Sequence, residues 1–291
     1  MRFNRGTYCS NLEKCVSDEG LRTDVYPLFA QCLAVKLPIM SAPEGFRVVR
    51  DDRLPSLPVH YAITDRSAPE GLLVLMPSAL SSKRPDRDRI IYTRSKWQSS
   101  WPQAQVISMP DPAIRVDNRL NGAWFINPEY DIIETIAAIV KENADTSGIP
   151  HSRIVFYGSS LGGFGAIAAA AHIPGSQAVS EVPQINFENW MKSSRQAFEK
   201  FITKMPLEEY RKVHPEQLNL PARLAHAGNI PSFRIITNPT ETSLNDQLDF
   251  YGWARVSPLP HSEGPIELFQ TTATSGHGYL GREELIPYVN P

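Results

Sequence analysis

Apolar residues fall into short blocks of two kinds, and the two kinds alternate along most of the chain. Phe46-Arg47-Val48-Val49-Arg50 and Val59-His60-Tyr61-Ala62-Ile63-Thr64 mix apolar and polar positions, the pattern of half-buried strands. Leu72-Leu73-Val74-Leu75-Met76, stopped by Pro77, is apolar throughout, as a strand covered on both faces must be. Gln105-Val106-Ile107-Ser108-Met109, stopped by Pro110 and Pro112, reads the same way. Between Tyr130 and Ala144 the period changes: Ile132, Ile133, Ile136, Ala137 and Val140 share one face of a helix, which the Gly148-Ile149-Pro150 turn ends. Ile154 to Tyr157 predicts another buried strand. Phe164 to Ile173 predicts a helix, because its run of four alanines loses no side-chain entropy there. Gln177 to Ser180, Ser232 to Thr237 and Ile266 to Gln270 predict further strands, and Arg282 to Val289 a closing helix. Such alternation implies an α/β fold with a mostly parallel sheet and helices on its faces.

Two segments depart from this rhythm. Residues from about 187 to 228 carry amphipathic patterns rich in Lys, Glu and Arg, broken by Pro206, Pro215 and Pro221. They predict a helical insertion that can serve either as a lid over a site or as a solvated helical layer. Residues from about 5 to 40 look partly helical, with Val25 to Val35 the most apolar part. The division expected is an N-terminal cap over 1–44 and one main domain over 45–291.

Composition narrows the classes. Of 291 residues, 42% are hydrophobic and 21% charged, as in an ordinary globular protein with a sizeable core. The formal charge of −2 leaves no global field to recruit nucleic acid or an anionic membrane. No stretch is long and apolar enough to span a bilayer, and the N-terminus lacks the hydrophobic region of a signal peptide, so a cytoplasmic protein is expected. Cys9, Cys15 and Cys32 are odd in number and lack Cys-x-x-Cys spacing, which argues for a reducing compartment and against a metal site. No cofactor is expected, and the oligomeric state is left open.

The chemistry concentrates where Ile154-Val155-Phe156-Tyr157 breaks into Gly158-Ser159-Ser160-Leu161-Gly162. A serine whose hydroxyl projects from a sharp strand-to-helix turn sits on strained backbone, and its neighbours two positions away must lack bulk so that strand and helix can approach. Ser160 alone has glycine at both offsets, which selects it over Ser159 as the nucleophile of an elbow.

Elbow, strand order and a late histidine together resemble the α/β-hydrolase superfamily over roughly residues 45 to 290. In that superfamily the order along the chain is nucleophile, acid, histidine. The resemblance implies that His277, in Thr274-Ser275-Gly276-His277-Gly278-Tyr279 after the last predicted strand, is the general base. Two carboxylates follow the strand Phe233 to Thr237. Glu241 stands nearer its end, where the superfamily places its acid, and is preferred; Asp246 has the commoner residue type. The resemblance also implies an oxyanion hole built from the Leu161 N–H and a second N–H, from Ser78 or Ala79, in the loop Pro77-Ser78-Ala79-Leu80. That loop lacks the His-Gly pair common in lipases and esterases.

A narrower resemblance rests on Asp111-Pro112, Asn121-Gly122-Ala123-Trp124-Phe125, Tyr157-Gly158-Ser159-Ser160, Val182-Pro183-Gln184 and Thr237-Asn238. These motifs are similar to those of bacterial serine hydrolases associated with surface-glycan synthesis and glycoprotein export, whose members resemble acetylesterases or acetyltransferases. Trp97, Trp101 and Trp124 cluster around predicted loops, where their faces can stack on sugars or simply pack.

The activity implied is hydrolysis of an acyl ester, carboxylesterase or glycan O-acetylesterase in type, on a small-molecule or glycan substrate. An acyltransferase or a serine peptidase would use the same triad, and a non-catalytic scaffold would keep only the fold.

Overall fold

The computed structural model describes residues 42–80 and 90–291; the N-terminal cap over 1–44, save its last three residues, and the three cysteines lie outside the described residues. Eight strands follow one another as β1 (Phe46–Asp51), β2 (Val59–Thr64), β3 (Gly71–Leu75), β4 (Ala104–Ser108), β5 (Ile154–Ser159), β6 (Gln177–Glu181), β7 (Ser232–Thr237) and β8 (Ile266–Gln270). They form one sheet in the order β1-β2-β4-β3-β5-β6-β7-β8. β1 and β2 form an antiparallel pair, β2 is antiparallel to β4, and every later pair is parallel.

The apolar runs of the central strands are explained by coverage on both faces. Leu72, Val74, Ile154 and Phe156 point into one core, and the intervening Leu73, Leu75, Val155 and Tyr157 into the other. The first core is roofed by α1 (Ile132–Ser147), α2 (Leu161–Ala171) and, later in the chain, α6 (Leu220–Ala227) and α7 (Leu244–Val256). Before α6 come α3 (Lys192–Phe198), α4 (Leu207–Val213) and α5 (Pro215–Leu218), so the predicted helical stretch lies between β6 and β7.

Helix α1 shows how the pattern becomes a structure. Asp131 caps it by accepting from Glu134 N at 3.0 Å, and Gly148 ends it in the left-handed region at φ 68°. Its Ile132, Ile133, Ile136, Ile139 and Val140 are buried, each contributing about 1.5–3 kcal/mol of transfer free energy before entropy is counted.

The second core is closed by Trp97, Trp101 and the C-terminal residues Leu280, Leu285 and Val289. Trp101 Nε1 donates to Val289 O at 2.9 Å and pins that segment under the sheet. The closing helix expected over 282–289 is shorter than its pattern suggests. α8 covers Arg282–Leu285 and passes into a 3₁₀ turn at Ile286–Tyr288, because Pro287 has no N–H to continue the helical ladder. Helix α7 has no counterpart among the sequence expectations.

Candidate active site

Strand β5 ends at Ser159 and α2 begins at Leu161, leaving Ser160 as the whole connection. Ser160 has φ 58° and ψ −123°, sparsely populated for a residue with a side chain. Its backbone is held on both sides: Ser160 N donates to Glu181 O at 2.9 Å, and Gln184 N donates to Ser160 O at 3.2 Å. A Cβ on Gly158 would lie 2.2 Å from Gly162 O, and one on Gly162 would lie 2.4 Å from Pro77 O, so the tight crossing requires glycine at both offsets.

The second of these contacts also lays the loop after β3 against the elbow. Ser78 Oγ stands 2.7 Å from Ser159 Oγ. A Cβ on Gly122 would lie 2.6 Å from Leu161 Cδ2 and 3.6 Å from Ala79 Cβ, which puts Leu161 and Ala79 in one neighbourhood. The three residues expected to stabilise an oxyanion, Leu161, Ser78 and Ala79, therefore gather around Ser160.

The structure brings Ser160, His277 and Glu241 together. His277 Nε2 lies 2.7 Å from Ser160 Oγ, and His277 Nδ1 lies 3.1 Å from each Glu241 carboxylate oxygen. With Nδ1–H donating to Glu241, Nε2 keeps its lone pair for the Ser160 hydroxyl. The Glu241 side chain has no exposure and is fixed by Ser243, whose N and Oγ donate to its Oε1 at 3.0 and 2.8 Å. Asn238, fully buried, ties the two loops: its Nδ2 donates to Gly276 O at 2.8 Å and its Oδ1 accepts from Thr240 N and Oγ1.

Asp246 does not join them. It sits in the first turn of α7, where its Oδ2 accepts from Asn189 Nδ2 at 2.9 Å. A signal for this was available: Ser243 followed by Asp246 matches the S/T-x-x-D/E pattern that starts helices, although α7 has little amphipathic character to announce the rest.

Around this core lie residues that no motif singled out. The Trp190 ring, from the stretch between β6 and β7, lies 5.2 Å from the His277 ring at an interplanar angle of 46°. Behind it Trp124, Phe187 and Phe198 form an aromatic cluster, and Trp124 Nε1 donates to Gln184. Trp124 and Trp101 are buried packing residues, at 4% and 7% exposure, and Trp97 stacks on Tyr157.

Two polar networks brace the elbow. Arg94, itself left-handed at φ 57°, donates from Nη2 to Ser159 Oγ at 2.7 Å while its guanidinium lies over the rings of Trp97, Tyr157 and Tyr279. Tyr157 donates to Glu181, which also accepts from Leu280 N at 2.8 Å. Burial raises the Glu181 carboxyl above its ordinary range, and these hydrogen bonds and Arg94 oppose the rise. The Asp111 carboxylate, fully enclosed, accepts from Ala113 N and from Phe125 N at 3.1 and 3.0 Å. It thereby holds Trp124 and Phe125 at φ 48° and 57°, at the cost of a carboxyl pushed up to about 6 by desolvation. That contact joins two of the separated motifs, Asp111-Pro112 and Asn121 to Phe125.

Among the described residues no group of three or more His, Cys, Asp or Glu side chains could hold a metal ion, and no helix is long and apolar enough to cross a membrane.

No family model and no curated protein matches the chain. Solved structures do. The capsule O-acetyltransferase of Neisseria meningitidis serogroup A aligns with a TM-score of 0.57 at 14% identity, over 80% of this chain and 92% of that one. This is the α/β-hydrolase fold. Two further chains that align with this one belong to the Glycosylation Associate Protein (Gap123) complex from Streptococcus agalactiae and to a puromycin-hydrolyzing peptidase of Mycobacterium tuberculosis. The first has a TM-score of 0.53 at 13% identity over 82% of this chain, the second 0.52 at 17% over 84%. The present chain spans less than half the length of these two, 44% and 37%.

Proposed function

We propose that the protein is a serine hydrolase acting on an acyl ester, with Ser160 as nucleophile, His277 as general base and acid, and Glu241 as the group that orients and stabilises the imidazole. The reading rests above all on the 2.7 Å contact between Ser160 Oγ and His277 Nε2, made from the far side of an imidazole that Glu241 already holds. His277 takes the Ser160 proton as Oγ attacks the ester carbonyl. Backbone N–H groups at Leu161 and at Ser78 or Ala79 receive the negative charge of the tetrahedral intermediate. Its collapse transfers the proton from His277 to the departing alcohol and leaves the acyl group on Ser160. A water, deprotonated by His277, then attacks the acyl-enzyme and releases the acid. Such a site needs no cofactor. The stretch between β6 and β7 is read as a lid, because it carries Trp190 onto His277.

Transfer to another hydroxyl is the second reading. It is favoured by the Trp190 ring packed against His277, which limits how water reaches the base. The α/β-hydrolase fold accommodates either outcome, since the solved structures that share it include an O-acetyltransferase and a peptidase.

The test is labelling with a fluorophosphonate and location of the adduct by mass spectrometry. Modification of Ser160 that is absent from folded Ser160→Ala supports the reading. A folded protein that is not modified at Ser160 overturns it.

A further inference from the structure

Beside the elbow lies a narrow, partly open cleft. Its lining includes Ser78, Gly122 and Leu161, beside which the ester carbonyl would sit under the proposed chemistry. Among the described residues its walls are mostly aliphatic, with Pro58, Leu80, Ile90, Ile91 and Ile114 among them. Its lining also includes His60 and Arg115, and Tyr92, which packs against the second core between the lining residues Ile91 and Thr93, interacts with Arg115.

Three buried polar atoms are left without a hydrogen-bond partner there: His60 Nε2, Tyr92 OH and Arg115 Nη1. His60 and Arg115 sense each other's charge, and Arg115 and Tyr92 also interact. The nearest carboxylates are committed elsewhere. Asp52 accepts from Arg50 Nε at 2.7 Å, and Asp111 is spent on the backbone of Ala113 and Phe125. Arg50 faces His60 across the β1–β2 ladder and adds a second cation. Among the described residues, then, a half-buried guanidinium is partly desolvated without gaining a counter-ion, an arrangement that an anionic ligand would relieve. Burial and the neighbouring Arg50 lower the Arg115 pKa, in keeping with an uncompensated cation.

We propose that Arg115, Tyr92 and His60 form a carboxylate-binding subsite of the acyl cleft, so that the favoured acyl group is an aliphatic chain ending in a carboxylate, carried as the half-ester of a dicarboxylic acid. All three side chains can donate, the Arg115 fork matches the two oxygens of a carboxylate, and the aliphatic walls suit the methylenes between the two ends. This assignment rests on the proposed serine chemistry only for the direction in which the chain runs.

The experiment compares methylumbelliferyl esters in length-matched pairs: butyrate with the succinate half-ester, hexanoate with adipate, octanoate with suberate. At one length the anionic member should have the higher kcat/KM by about tenfold, equivalent to ~1.4 kcal/mol. Arg115→Gln and Tyr92→Phe should each bring that ratio toward one. Preference for the neutral ester at every length, or a preference that Arg115→Gln leaves intact, overturns the subsite. Calorimetric titration of the free dicarboxylates into Ser160→Ala separates the two readings. Saturable binding lost in a folded Arg115→Gln, Ser160→Ala double variant supports the subsite even in a protein that no fluorophosphonate labels. Absence of such binding in a protein that does hydrolyse neutral esters removes the subsite and leaves the hydrolase.

Discussion

The Trp190 ring packs against the His277 imidazole, with 5.2 Å between centroids and the planes tilted by 46°. Trp190 belongs to the stretch between β6 and β7, and the aromatic cluster of Trp124, Phe187 and Phe198 backs it. Truncation to Trp190→Ala uncovers the base without touching its hydrogen bonds to Glu241 and Ser160. With 4-nitrophenyl acetate as donor and an added alcohol as competing acceptor, the fraction of acyl group captured by water should rise severalfold. An unchanged partition would mean that the ring only packs the stretch between β6 and β7 and does not govern access of water.

The two candidate acids can be told apart by their neutral isosteres. Glu241→Gln replaces an acceptor of the Nδ1 proton with an amide that can present either end, so the imidazole loses both its tautomer and its counter-charge; kcat should fall by about 10³–10⁴ with little loss of thermal stability. Asp246→Asn should leave kcat within about twofold, because its carboxylate bonds Asn189 and, among the described residues, no member of the proposed triad. Equal losses in the two variants would remove Glu241 from its proposed role.

Gly162→Ala is a test of the elbow's geometry. Its Cβ would meet the backbone carbonyl of Pro77 at 2.4 Å, and backbone cannot step aside as a flexible side chain does. Destabilisation of about 1–3 kcal/mol or more is expected by chemical denaturation, with loss of activity in whatever fraction still folds. A variant as stable and active as the parent would show that the loop after β3 is free to move away.

Asp111 gives the fold a pH dependence of unusual sign. Its folded pKa, about 6, stands above its ordinary value of 3.8 because burial disfavours the charge. The folded state therefore holds the proton more tightly than the unfolded one. The contribution is fully present below about pH 4, is lost as pH rises through 6, and amounts to about 3 kcal/mol by linkage. Glu181 is shifted in the same direction. Denaturant titrations of the parent and of Asp111→Asn between pH 4 and 7 should diverge across this window. Parallel curves would mean that the carboxyl is ionised throughout.

Much of this was legible in the sequence because it is written in short-range rules. The buried strands are continuous apolar runs, and the elbow is a pair of glycines at offsets that only a tight crossing demands. Ser160 and His277 followed from local context and from the order along the chain that the superfamily resemblance implies. Helix α7 was missed because its apolar residues do not repeat at helical spacing, so only the Ser243 to Asp246 start signal marked it. Arg94 and Trp190 carry no local signature at all. Each matters through partners brought near by the fold, as when Arg94 reaches Ser159 across 65 residues.

Asn238 joins Gly276 to Thr240, and so welds the loop that carries the base to the loop that carries the acid. Ser160 is fastened to a different body, by Glu181 O and Gln184 N. The relay is thus made of two braced parts whose reacting groups meet at one seam, the Ser160–His277 contact, while Leu280 N on Glu181 Oε1 ties the parts farther back. Heat or cosolvent can silence such a machine by parting that seam while both parts keep their shape, and activity should then vanish ahead of global unfolding and return on cooling.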